Sequence, residues 1–322
     1  MKKHIYIYSP SSAVRHKANF KRGIKRLQAL GYEVEVDEAA LATHQRFAGD
    51  DETRLAAIHR AAASGADVAL ISRGGYGLTR LLPAINYKAV AKSIEKGTQF
   101  VGLSDFTAFQ MAVLAKTGAV TWAGPALDDD FGAEAGVDDI MQACFEDFIT
   151  GQGEGTGWQL PKKTPDLIAA DALNTGVKPD MTPQGDYMVK DSMLWGGNLA
   201  MLASLVGTPY LPAIKGGILF IEDVGEHPFR VERMLAQLLQ AGILAQQKAI
   251  IFGQFSNYKL VSHDKGYKLA SVVSWLQSQV KARVLTGLPF GHVPTKVMLP
   301  IGQNITLAVE GRDAFVLWGH QH

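Results

Sequence analysis

A serine, an acid and a histidine stand where their types could do chemistry together. Ser104 lies in Gly102-Leu103-Ser104-Asp105-Phe106-Thr107, just after the apolar pair Phe100-Val101. Phe106, Phe109 and Val113 then share one face of a helical pattern. The spacing predicts a strand-to-helix turn, from which many hydrolases present a nucleophilic hydroxyl. The plainer reading is a helix cap, because Ser and Asp oxygens accept the orphan N–H groups at a helix start. The hydrolase signature G-x-S-x-G is not met, since Phe106 replaces its second glycine. A serine nucleophile needs a base, usually a histidine oriented by a carboxylate. Of the nine histidines, His292 stands apart in the glycine-bounded loop Pro289-Phe290-Gly291-His292-Val293-Pro294. Glu222 ends the apolar run over residues 217–222, where packing does not call for a charge. Asp223 and Glu226 compete for its role, and an ion pair with Arg230 or Arg233 is its plain alternative.

An acyl-transfer site also needs donors for the oxyanion. Arg73-Gly74-Gly75-Tyr76-Gly77 follows an apolar run and offers backbone N–H groups without side chains in the way. With the Asp105 N–H at the helix start, Gly74 or Gly75 could form an oxyanion hole. The same glycines could simply turn the chain into a helix near Leu78. They fit neither the P-loop nor G-x-G-x-x-G. No metal-ligand spacing such as H-E-x-x-H occurs, so no metal is expected.

These residues need a scaffold that brings strand ends to one rim. Residues 5–8, 34–36, 67–72, 100–103 and 119–122 read as strands, with helical patterns between them. Alternation of this kind means a parallel sheet with crossovers, whose crevice lies at the carboxyl ends of the strands. Gly74-Gly75 and Ser104 both fall there. A glycine-rich, polar stretch begins at Gly151, and scattered prolines continue towards Asp186. The division expected is an N-terminal α/β domain over 1–150, a linker with irregular strands over 151–186, and a C-terminal domain over 187–322. In the last, strands are expected at 217–222, 249–252, 284–288, 305–309 and 314–318, giving a β-rich and more antiparallel α+β unit.

The 322 residues are 47% hydrophobic and 20% charged, ordinary for a globular protein with a sizeable core. A net charge of +1 gives no electrostatic case for nucleic acid or an anionic membrane surface. A single cysteine, Cys144, excludes an intramolecular disulfide and a multi-cysteine metal site. The apolar run near the N-terminus is too short for a signal peptide, and none reaches the length of a membrane span. A cytoplasmic protein is expected.

Taken together, Arg73-Gly74-Gly75-Tyr76-Gly77, Gly102-x-Ser104-Asp105-Phe106-Thr107, Trp195-Gly196-Gly197-Asn198-Leu199, Glu222-Asp223 with residues 226–233, and Gly291-His292 form one ordered set. That set, with Arg46-Phe47-Ala48-Gly49, resembles the LD-carboxypeptidase family, the muramoyltetrapeptide carboxypeptidases of murein recycling. The resemblance implies a Ser104–His292–Glu222 triad and an oxyanion hole from the N–H groups near Gly75 and of Asp105. It implies an α/β nucleophile domain, a β-rich domain carrying the acid and base, and often a homodimer. The implied reaction removes the terminal D-Ala of a murein tetrapeptide through an acyl-enzyme, without a cofactor. Arg73, Asn198 and Trp195 are the candidates for binding the substrate, with Tyr76 beside the stem peptide. Two alternatives remain at this point. A sister branch with the same triad cleaves peptidyl-adenylate antibiotics, for which Trp158 could stack on a base. A non-catalytic murein-peptide-binding protein would keep the cleft without depending on Ser104.

Overall fold

The computed structural model describes residues 2–161 and 185–319. Most of the linker expected over 151–186 therefore lies outside the described residues.

The first half alternates as its pattern predicts. Strands β1 (His4–Tyr8), β2 (Glu33–Val36), β3 (Val68–Ile71), β4 (Gln99–Gly102) and β5 (Thr121–Ala123) alternate with helices α1 (Lys17–Ala29), α2 (Asp51–Ala63), α3 (Tyr87–Glu95) and α4 (Phe106–Thr117). Helix α5 (Asp139–Thr150) follows. Apolar β3 is buried on both faces, as parallel crossover strands are. Asp50 caps α2 by accepting from Thr53 N–H. Helix α3 carried no expectation from the periodicity.

The second half supplies β6 (Gly155–Gln159), β7 (Tyr187–Asn198), β8 (Ile218–Val224), β9 (Ala249–Ser256), β10 (Arg283–Thr286), β11 (Leu299–Ile301), β12 (Asn304–Glu310) and β13 (Asp313–Leu317). Helices α6 (Leu199–Ser204), α7 (Pro228–Gln240) and α8 (Leu269–Gln279) lie among them.

One sheet has the order β11-β5-β4-β3-β1-β2 and the other β10-β9-β8-β7-β12-β13-β6. In the first, only β11 runs antiparallel. It comes from residues grouped by sequence with the C-terminal domain, so the chain returns to complete the first sheet. The second sheet is mixed: β7 to β10 run parallel, whereas β7, β12, β13 and β6 pair antiparallel. The antiparallel character expected there is confined to one side, and Glu222 stands on the parallel side.

Helix α4 departs from the one-faced pattern of its sequence. Every residue from Phe106 to Leu114 is buried. A helix buried all round lies between layers. Here α4 packs on β5 and also on β7 and α6, so it joins the two sheets. No helix among the described residues is long and apolar enough to cross a membrane.

Candidate active site

Ser104 sits between β4 and α4 with φ +66°. This left-handed conformation costs a non-glycine residue about 1–2 kcal/mol. The strain turns the chain sharply and leaves the side chain partly exposed at the strand end. The hydroxyl caps nothing: the residue flanking α4 is Asp105, and it makes no side-chain cap bond. Gly74 lies against Ser104, since a Cβ at 74 would meet Ser104 Cβ at 2.5 Å and Oγ at 2.8 Å. Gly75 has φ +110°. Neither the Gly75 nor the Asp105 backbone N–H has an acceptor among the described residues. Both stand at the rim that carries Ser104.

The acid and base meet on the second sheet. Glu222 is fully buried on β8, and its Oε2 lies 2.8 Å from Nδ1 of His292. Of the three acids that compete in the sequence, only Glu222 takes this place. Asp223 accepts from Asn198 and from the Ala200 and Val224 N–H groups, and Glu226 pairs with Arg230 at 3.7 Å. The His292 loop runs beside β9, where Gln254 N–H donates to Phe290 O at 2.8 Å and Ser256 Oγ donates to His292 O at 3.2 Å.

Burial disfavours the imidazolium, but the hydrogen bond and charge of Glu222, with Asp223 behind it, outweigh that and hold His292 above its ordinary value. Burial, then the Glu222 charge, pushes Asp223 up to about 6 against the donors that surround it.

Two sets of bonds join the halves of the site. Thr107 Oγ1, in the first turn of α4, accepts from Asn198 N–H at 3.0 Å, and Asn198 Nδ2 donates to Glu222 Oε1 at 3.2 Å. Beyond His292, Thr295 donates to Asp138 at 2.7 Å, and Lys296 is ion-paired with Asp130. Both members of that pair are almost wholly buried. Removing one partner of such a pair costs about 3–5 kcal/mol. Lys296→Ala is therefore expected to lower stability by that amount in urea unfolding. The double variant Lys296→Met with Asp130→Leu should recover most of the loss. No hydrogen bond links Ser104 Oγ to His292 among the described residues; such contacts often tighten only when substrate binds.

The substrate-binding candidates fare differently. Trp195 is buried and donates to Gln247 Oε1 at 2.9 Å, so it belongs to the core rather than to the cleft. Asn198, a candidate for the substrate's carboxylate, already has protein partners at both ends of its amide. Its Oδ1 caps α6 at Met201 N–H, and its Nδ2 is shared between Glu222 and Asp223. It thus holds Glu222 Oε1 from the side away from His292. Trp158 is buried and donates to Thr286 O at 3.1 Å, which leaves no ring to stack on a base. Arg73 is buried beside the glycine turn and donates to Ala13 O at 3.3 Å. Tyr76 is 42% exposed. Thr107 and Lys296 join the site without any signal of their own beyond Thr107's place in the Ser104 motif. No group of three or more His, Cys, Asp or Glu side chains able to hold a metal occurs among the described residues.

Residues 5–124 match the model of the LD-carboxypeptidase N-terminal domain, and residues 191–307 that of the LD-carboxypeptidase C-terminal domain. The chain belongs to the LD-carboxypeptidase family. It is thus a hydrolase. It is similar to the crystal structure of a muramoyltetrapeptide carboxypeptidase from Oxalobacter formigenes, at 39% identity and TM-score 0.83, covering 98% of this chain and 99% of that one. A probable murein peptide carboxypeptidase of Bacillus subtilis is 28% identical, over 90% of this chain and 84% of the relative. The microcin C7 self-immunity protein MccF of Escherichia coli is 25% identical, over 95% and 90%. In this LD-carboxypeptidase the family's two matched regions carry Ser104 and the Glu222–His292 pair respectively.

Proposed function

We propose that this LD-carboxypeptidase is a serine peptidase that removes the terminal D-Ala from murein tetrapeptides in cell-wall recycling. The observation that carries the reading is the buried Glu222 held 2.8 Å from His292 Nδ1, on a fold that presents Ser104 at a strained turn. The names of the similar carboxypeptidases support the substrate class. The nucleophile falls in residues 1–150, and the acid and base in 187–322.

In the reaction, Ser104 Oγ attacks the carbonyl carbon of the bond to D-Ala, and His292 Nε2 takes the hydroxyl proton. Glu222 accepts from Nδ1–H and so keeps Nε2 free to act as base. The carbonyl oxygen becomes an oxyanion, received by the Asp105 N–H and a glycine N–H at 74–75. Collapse breaks the C–N bond, and His292 returns the proton to the departing amine of D-Ala. Water, deprotonated by His292, then hydrolyses the Ser104 ester. No cofactor enters. Arg73 is the candidate for the substrate's free carboxylate: its buried guanidinium makes one hydrogen bond and has no ion pair among the described residues.

The direct test is mass spectrometry of a murein tetrapeptide incubated with the enzyme, which should lose one alanine. Cleavage of an aminoacyl-sulfamoyl nucleoside instead would assign it to the immunity branch. Binding without cleavage would make it a murein-peptide-binding protein. A cytoplasmic, homodimeric enzyme goes with this reading, tested by fractionation and light scattering.

His292 must be neutral to act as base. Because its folded value is raised, the acid limb of kcat/KM should lie above the ordinary imidazole value of 6.5. A pH–rate profile checks this. The sign for stability is opposite: the pair's contribution is full below the unfolded imidazole value and is lost as pH rises through the folded one.

A further inference from the structure

The two donors of the oxyanion hole come from different strand ends, after β3 and after β4. Something must hold their separation, and the Asp105 side chain spans that gap. Asp105 is 1% exposed. Its Oδ2 accepts from Leu78 N–H at 2.9 Å, just beyond the glycine turn, and from Ser11 Oγ. The neighbouring Ser12 Oγ accepts from Tyr76 N–H at 2.9 Å. Arg54, fully buried, donates to Gly77 O at 2.9 Å. The loop at 11–12 and the carboxylate at 105 thus grip residues 76–78 from two sides. Burial pushes this carboxyl above the usual carboxylate range, opposed by the Ser11, Leu78 and Gly77 donors and the Arg54 charge. A cap on its own helix would account for an acid at this position, yet the Asp105 side chain makes no cap bond to α4.

We infer that the Asp105 carboxylate is a positioning residue that ties the nucleophile turn to the glycine turn and so sets the geometry of the oxyanion hole. The inference rests on Ser104 acting as the nucleophile, as proposed above. Its side chain touches neither Ser104 nor substrate in this role; it acts through its own N–H and those of Gly74-Gly75.

The test compares wild type with Asp105→Asn, Asp105→Ala and Ser11→Ala in D-Ala release from a murein tetrapeptide, with thermal unfolding of each. A misplaced oxyanion donor costs about 10²–10³ in turnover. Asp105→Ala should lose kcat on that scale with KM changed less than about threefold, because the defect appears only in the transition state. Asp105→Asn keeps an acceptor for Leu78 N–H and should recover part of the loss. Ser11→Ala should lower kcat in the wild type and have little further effect in Asp105→Ala, as expected of partners in one network. A folded Asp105→Ala enzyme with unchanged kcat, or with only a lower melting temperature, overturns the inference. If Asp105→Ala does not fold, an unchanged kcat in folded Asp105→Asn and Ser11→Ala overturns it equally. Failure of the underlying reading looks different: wild type itself would release no alanine, or Ser104→Ala would release it as fast as wild type.

Discussion

Replacing Ser104 with Ala is expected to reduce D-Ala release by about 10⁴- to 10⁶-fold, because nucleophile and base act as one unit and neither works alone. The melting temperature should hardly change. The Ser104 hydroxyl makes no hydrogen bond among the described residues, and Ala adopts φ +66° at much the same strain. The two explanations of Ser104 separate here. A helix cap replaced by Ala would lose about 1 kcal/mol of stability and keep its turnover. Measuring alanine release by mass spectrometry beside thermal unfolding distinguishes them in one preparation. Equal release by both proteins would show that Ser104 is not the nucleophile.

Glu222→Gln is expected to cost about 10⁴ in kcat while the fold persists. The surroundings decide which way the new amide points. Asn198 Nδ2 donates to Oε1, so the Gln oxygen must face Asn198 and its NH₂ must face His292. An amide that donates to Nδ1 forces the proton onto Nε2, the nitrogen that has to accept the Ser104 proton. His292 also loses the hydrogen bond and charge that raise it, so any residual activity should show its acid limb at lower pH. Kinetics across pH would check both effects. A variant that keeps near-wild-type turnover with an unmoved acid limb would mean that Glu222 does not orient the base.

Much of this arrangement was legible in one dimension. The continuous apolar run of β3 and the apolar residues before Ser104 read as buried strands. Helices between them demanded parallel crossovers and hence a crevice at the strand ends. That logic puts Gly74-Gly75 and Ser104 on one rim before any contact is known. The residues offered His292 as base and Glu222, Asp223 or Glu226 as acid, and the resemblance implied Glu222 among the three. What stayed hidden depended on long-range register. Whether Glu222, Asp223 or Glu226 faces His292 is a matter of how β8 sits between β7 and β9, where Asn198 is level with Glu222. The same register turns Asn198 toward the acid and buries Trp195, against the expectation that both would meet the substrate. Ser11 and Lys296 gave no signal, because a turn serine and a loop lysine look alike whether solvated or buried.

The sequence by itself determined the alternating α/β half, the strand-to-helix turn at Ser104 and the set of polar residues at strand ends, because periodicity and turn chemistry are local. Only the tertiary structure decided that α4 is enclosed on all sides, that β11 returns to the first sheet, and that Glu222 alone reaches His292. Each of these depends on burial between segments far apart in the chain. A buried polar group must find its partner in that packing, and its own neighbours in sequence do not reveal which partner it finds.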